Sequence, residues 1–149
     1  MPNRARDWLG QANITVRCKA MRPYAMPVRS LRSSVLKWPD AHTVECALRA
    51  WVTHAVASHP EVCRVGYFGS YARGDWGVGS DVDLIVVVDR SPAPFERRAA
   101  RWDTATLPVP GDVLVYTEAE WHAMRRTGRL SDRIARETIW LYERQEVKA

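Results

Sequence analysis

Long apolar runs are missing from this sequence: none approaches the roughly 18 residues that a membrane-spanning helix needs, so a helical membrane protein is excluded. Cysteine is scarce. Cys18, Cys46 and Cys63 are odd in number, widely spaced and form no C-x-x-C pair, which excludes a disulfide framework and a zinc knuckle and fits a reducing cytoplasm. His42, His54, His59 and His122 lack the paired spacing of zinc ligation, and no metal is assigned to them. Internal repeats and low-complexity tracts are absent, and no apolar core of a secretory signal follows the early charges.

Acidic side chains are almost absent from residues 1–39, where Asp7 alone faces eight Lys/Arg, whereas residues 40–149 carry fourteen Lys/Arg and sixteen Asp/Glu. The net charge of +5 is therefore an N-terminal property. Pro23, Pro27 and Pro39, with Ser30, Ser33 and Ser34 between them, argue against a long helix there. Residues 1–39 read as a basic extension or linker, with a short helix around Trp8 and Leu9. Residues 40–149 read as one domain. At 46% apolar and 26% charged residues the chain has the composition of a soluble globular protein rather than a disordered or coiled-coil one.

What is present is ordered punctuation. Asp40 can cap a helix whose apolar positions Val44, Ala47, Leu48, Trp51, Val52, Ala55 and Val56 follow the 3–4 spacing, and His59-Pro60 ends it. Residues 62–68 form an apolar strand entering Gly69-Ser70, and residues 82–88 are an almost unbroken apolar run, the mark of a central strand covered on both faces. A helix is expected from Phe95 to about Thr104, and a strand over 112–116. Thr117 and Glu120 make a capping box for a helix through Met124 that Gly128 stops. Residues 130–136 are helical in pattern and 138–142 have the β-branched and aromatic content of a last strand. Trp51, Trp121 and Trp140 fall in these patterns and are assigned to packing, as is Trp76 in its loop.

The chemistry is concentrated in residues 66–86. A Gly69-Ser70 pair at a strand end lets the backbone approach a ligand closely, and a helix start beyond it offers amide groups to an anion, which makes a phosphate seat. Asp81 and Asp83, two residues apart, share one face of an extended chain. Two carboxylates ~4 Å apart repel by about 4 kcal/mol at an effective dielectric of 20, which raises one pKa unless a cation compensates. Oxygen-only ligation favours Mg²⁺ or Mn²⁺. A third carboxylate should open a neighbouring strand, and Asp112 does; Asp75, Asp89 and Asp103 are poorer candidates, lying in a loop, at a strand end and in an expected helix. The four positions Gly69, Ser70, Asp81 and Asp83 coincide by chance on the order of once in 10³ chains of this length.

With Gly69-Ser70, Asp81-x-Asp83 and the later Asp112, the sequence resembles the minimal nucleotidyltransferases of the DNA polymerase β-like superfamily. Within that superfamily it is most similar to the antitoxin half of toxin–antitoxin pairs whose toxin is a HEPN-type ribonuclease, over about residues 40–145. The Leu-Val-Tyr-Thr-Glu-Ala-Glu-Trp run after Asp112 and the closing Thr-Ile-Trp-Leu-Tyr-Glu carry that likeness. The resemblance implies an α/β (α+β) fold, a mixed β-sheet flanked by helices, and transfer of a nucleoside monophosphate from ATP or another NTP. It also implies two Mg²⁺ ions held by Asp81, Asp83 and Asp112, with Asp112 assisting deprotonation of the attacking hydroxyl. Gly69 and Ser70 are expected to hold the terminal phosphates, with Arg73 and Ser80 as further donors. The expected partners are the nucleotide and a HEPN-type toxin whose hydroxyl would be adenylylated; a homo-oligomer is compatible, and neither membrane nor nucleic acid is required. The rival readings are a toxin-binding module that neutralises by occlusion, and nucleotidyl transfer to a small molecule such as an aminoglycoside.

Overall fold

A computed structural model of the chain describes residues 38–145. The basic extension and the short helix expected around Trp8 lie outside the described residues, apart from Trp38 and Pro39. Helix α1 (Ala41–Ser58) starts where Asp40 Oδ1 accepts the Thr43 amide at 2.7 Å, and that bond holds the Asp40 carboxyl below the usual carboxylate range. It ends at His59, whose amide donates to the Ala55 carbonyl just before Pro60. Val44, Leu48, Trp51, Val52 and Ala55 form its buried stripe.

Among the described residues four strands make one sheet: β1 (Val62–Phe68), β2 (Val82–Val88), β3 (Gly111–Thr117) and β4 (Ile139–Glu143), in the order β3-β2-β1-β4. β2 pairs antiparallel with β1 and parallel with β3, and β4 closes the far edge antiparallel to β1. The sheet is mixed and flanked by helices, an α+β architecture. β4 approaches β1 closely at Gly66, where a Cβ would meet the Ile139 carbonyl at 2.6 Å.

β2 is the centre because, beyond Asp83 near its start, it has nothing polar to expose. Leu84, Ile85, Val86 and Val87 are fully buried, and each such side chain is worth about 1.5–3 kcal/mol. Leu84, Val86 and Val88 meet α1 together with Trp102, Leu107 and Val109 on one face. Ile85 and Val87 meet Trp121 and Met124 of α4 (Glu118–Thr127) and Ile134 of α5 (Arg129–Glu137) on the other. No helix among the described residues is long and apolar enough to cross a membrane.

Helix α4 starts with the expected capping box: the Glu120 amide donates to Thr117 Oγ1 at 3.2 Å and the Thr117 amide to Glu120 Oε2 at 2.9 Å. Arg98, buried, donates to both Glu120 oxygens at 2.6 and 3.0 Å and holds that carboxyl down at about 2. The helix expected from Phe95 to about Thr104 is shorter. α3 (Phe95–Arg98) tightens into a 3-10 turn over Ala99–Arg101. Trp102 then leaves the helical path to pack inward, with ring centroids 6.2 Å from Trp51 and 4.3 Å from His59.

Candidate active site

The pairing of the strands sets the positions of the acidic side chains. Phe68, the last residue of β1, pairs with Asp83 near the start of β2, and Asp83 pairs with Asp112 near the start of β3. Phe68, Asp83 and Asp112 thus form one line across three strands, on the face that carries Ile85 and Val87 further along β2. Those two residues are fully buried, whereas Asp83 and Phe68 are half-buried and Asp112 is exposed. The face opens to solvent at the carboxylates. Asp81 is exposed and stands just ahead of β2.

Gly69 follows Phe68 and opens α2 (Ser70–Arg73) with φ 75° and ψ −149°, a conformation that side chains rarely permit. A methyl group placed on it would collide with Asp83 Oδ2. The glycine therefore does two jobs: it turns the chain into α2, and it leaves room for the carboxylate of the next strand. Gly74 ends α2 in the left-handed region, its amide donating to the Ser70 carbonyl at 2.9 Å.

Burial, then the charge of Asp112, then that of Asp81 push the Asp83 carboxyl above its ordinary range, and Arg73 opposes them weakly. The anticipated repulsion is present, with Asp112 the stronger neighbour. Three carboxylates with one oxygen-only donor chemistry and no committed cation fit a hard divalent ion such as Mg²⁺. Among the described residues, the set of three whose ligand atoms all lie within 4.8 Å of one another is a different one, Cys63, Asp89 and Glu118. There the Arg144 guanidinium already bonds Asp89 and the Cys63 sulfur. The aspartates at 81, 83 and 112 are more widely set and have no such cation among them.

A family model for the nucleotidyltransferase domain matches residues 52–141, which include all three aspartates and the Gly69-Ser70 turn. The chain belongs to this family. No curated protein matches it. Among solved structures, the nucleotidyltransferase domain is similar to a Sulfolobus solfataricus protein assigned as a nucleotidyltransferase, with 22% identity and a TM-score of 0.53 over 70% of this chain and 84% of that one. A chain from a toxin–antitoxin complex with AMP-PNP also matches, at 16% identity and a TM-score of 0.46, over 65% of this chain and 74% of that one.

The remaining expected donors of the nucleotidyltransferase have partners of their own. Arg73 donates to Asp75 Oδ2 at 3.1 Å and to Glu137 Oε2 at 3.0 Å, which ties α2 to the end of α5. Ser80 Oγ accepts the Gly77 amide at 2.9 Å and closes the 77–80 turn. Trp76 stacks on Tyr71, with centroids 5.4 Å apart, and packs as expected. Three features of the neighbourhood escape a reading of the sequence: Glu137 as the anchor of Arg73, Phe68 beside Asp83, and a cavity of about 410 Å³ that Asp83 and Asp112 share with Ala99, Trp102 and Thr104. Phe68 alone had a signal, being the residue that precedes Gly69 on a strand.

Proposed function

We propose that this nucleotidyltransferase moves AMP from ATP to a hydroxyl of a partner protein, a HEPN-type toxin, and so acts as its antitoxin. The observation that carries the chemistry is the in-register pairing of Asp112 with Asp83 beside the Gly69 turn. Asp81, Asp83 and Asp112 are the residues that would hold Mg²⁺, two ions in all, with Mn²⁺ as substitute. Bound there, the ions supply neutralisation of the triphosphate charge.

The chain's own groups do the rest. The Gly69 turn and Ser70 hold the terminal phosphates, and Ser80 and Arg73 stand on the rim, Arg73 reaching inward by exchanging Glu137 for a phosphate. Asp112 accepts the proton of the attacking hydroxyl. The hydroxyl oxygen bonds to the α-phosphorus as the bond from that phosphorus to the α–β bridging oxygen breaks, and pyrophosphate leaves with the electron pair. The protein acceptor and the antitoxin role rest on the resemblance of residues 114–121 and 138–143.

The test is incubation of the purified chain with Mg²⁺, each labelled NTP and the product of the neighbouring gene. The wild type should label the partner, with ATP preferred, and the Asp81→Ala/Asp83→Ala double variant should not. Equal labelling by both would remove the catalytic assignment; full neutralisation of the partner by the double variant would replace it with occlusion.

A further inference from the structure

We propose that the acceptor docks as an extended peptide along the open edge of β3 and pairs with the backbone of Val113. This rests on the nucleotidyl-transfer reading above and names the class of acceptor for that site. Among the described residues β3 ends the sheet on one side. The Val82 amide donates to the Pro110 carbonyl at 2.9 Å, which fixes the phase of the parallel ladder. Asp112 and Leu114 turn their main-chain groups toward β2, and Gly111, Val113, Val115 and Thr117 turn theirs outward.

Natural edges are usually blocked, and most of this one is. Thr104 Oγ1 donates to the Gly111 carbonyl at 3.3 Å, Arg98 Nη1 donates to the Val115 carbonyl at 3.3 Å, and the Thr117 amide is taken by Glu120. Between these plugs Val113, its side chain in the core, has no main-chain partner on the outer side among the described residues and borders the cavity. The cavity of about 410 Å³ is lined by Gly111, Val113 and Leu114 of this stretch together with Ala99 and the buried Trp102. An N–H and a C=O from one outward-facing residue are half of a ladder unit, and another extended chain supplies the other half.

Two further arguments favour a peptide here. Attack and departure at phosphorus lie on opposite sides, so with the terminal phosphates at Gly69 on the β1 side of Asp83, the hydroxyl must arrive from the β3 side. That is where the cavity lies. A peptide residue next to the one opposite Val113 would project onto the face of Asp112 and Asp83. The cavity is also acidic: Asp83 and Asp112 line it, while Arg98 is spent on Glu120. With Arg98 paired, that side of the cavity offers no cation to the backbone of a phosphate-rich strand, and a neutral peptide backbone needs none.

The experiment uses the full chain with MgCl₂ and α-labelled ATP against immobilised short peptides with a central Tyr, Ser or Thr. Each peptide is also made with one backbone amide beside the hydroxyl residue N-methylated. A mixed RNA oligonucleotide and kanamycin serve as other acceptors. The expected result is labelled peptides, with labelling reduced about tenfold or more by N-methylation at one register position. Ala99→Trp, at an exposed position on the cavity wall, should raise the peptide KM about tenfold, with its thermal melt showing that it is folded. Peptides labelled equally with and without N-methylation, or label on RNA or kanamycin alone, overturn the docking proposal and leave nucleotidyl transfer standing. No labelled product and no pyrophosphate from any acceptor takes down the transfer reading and this proposal together.

Discussion

At the far end of β2, Asp89 receives Arg144 Nη1 on Oδ2 at 3.1 Å and Nη2 on Oδ1, with the Cys63 thiol also donating to Oδ1 at 3.1 Å. Those bonds hold its carboxyl below the usual range, while burial first and the bond to Asp89 second push the Cys63 thiol up to about 12. At the near end, burial first and then two neighbouring carboxylates push Asp83 the opposite way. One apolar strand thus carries a carboxylate at each end. Asp89 comes with its cation built into the chain, whereas Asp83 has carboxylates where that cation would stand.

The contrast is broken or sharpened first by activity. Asp83→Ala should lower AMP transfer about 10³-fold or more, whereas Asp89→Ala should stay within about threefold of wild type in initial rate at saturating ATP. Equal losses would mean that the two ends are not different in kind. Next, Gly69→Ala should cost transfer about 10²-fold and stability about 2 kcal/mol or more in a urea titration, because it meets Asp83 as well as a positive φ. Gly74→Ala, also at positive φ but with no atom within 4 Å of the added carbon, should cost only about 1 kcal/mol.

Glu120 extends the logic of Asp89, since Arg98 is its built-in cation. Its carboxyl is held at about 2 against an ordinary 4.5, so its contribution is present above pH ~5 and is lost as pH falls toward ~2. Discounted for its exposure, Glu120→Gln should lose about 1–2 kcal/mol at pH 7 and flatten the acid side of the stability profile. The smallest effect is at Asp83. A carboxyl raised in the folded state costs stability once it ionises, so Asp83→Asn without Mg²⁺ should raise Tm by about 1–2 °C at pH 7. The gain should vanish below the ordinary carboxylate range, and Asp89→Asn should shift Tm the other way.

Much of this was legible in the chain itself. Val62–Phe68 and Val82–Val88 are strands with the expected limits, because largely apolar runs of that length, one between Pro60 and Gly69 and the other between Asp81 and Asp89, have few alternatives. The Asp40 cap and the Thr117–Glu120 box are local hydrogen bonds between neighbours in sequence, and both are found. The break after Arg98 was not legible, because it depends on where Trp102 finds aromatic partners that come from α1 and its end. Asp112 could be picked out as the opening of a strand, but its alignment with Asp83 depends on parallel register, which no local pattern encodes. Arg73 reads as a phosphate donor, and its tie to Glu137, far along the chain, is one that no local pattern encodes.

The parallel pairing of β2 with β3 has a consequence for synthesis. β1 and β2 can close on each other across the loop from Gly69 to Asp81, but β2 must wait for the crossover from Asp89 to Pro110 before its other edge finds a partner. A ribosome making this chain therefore releases its most apolar strand with one side bare, and keeps it so until residue 117 has left the exit tunnel.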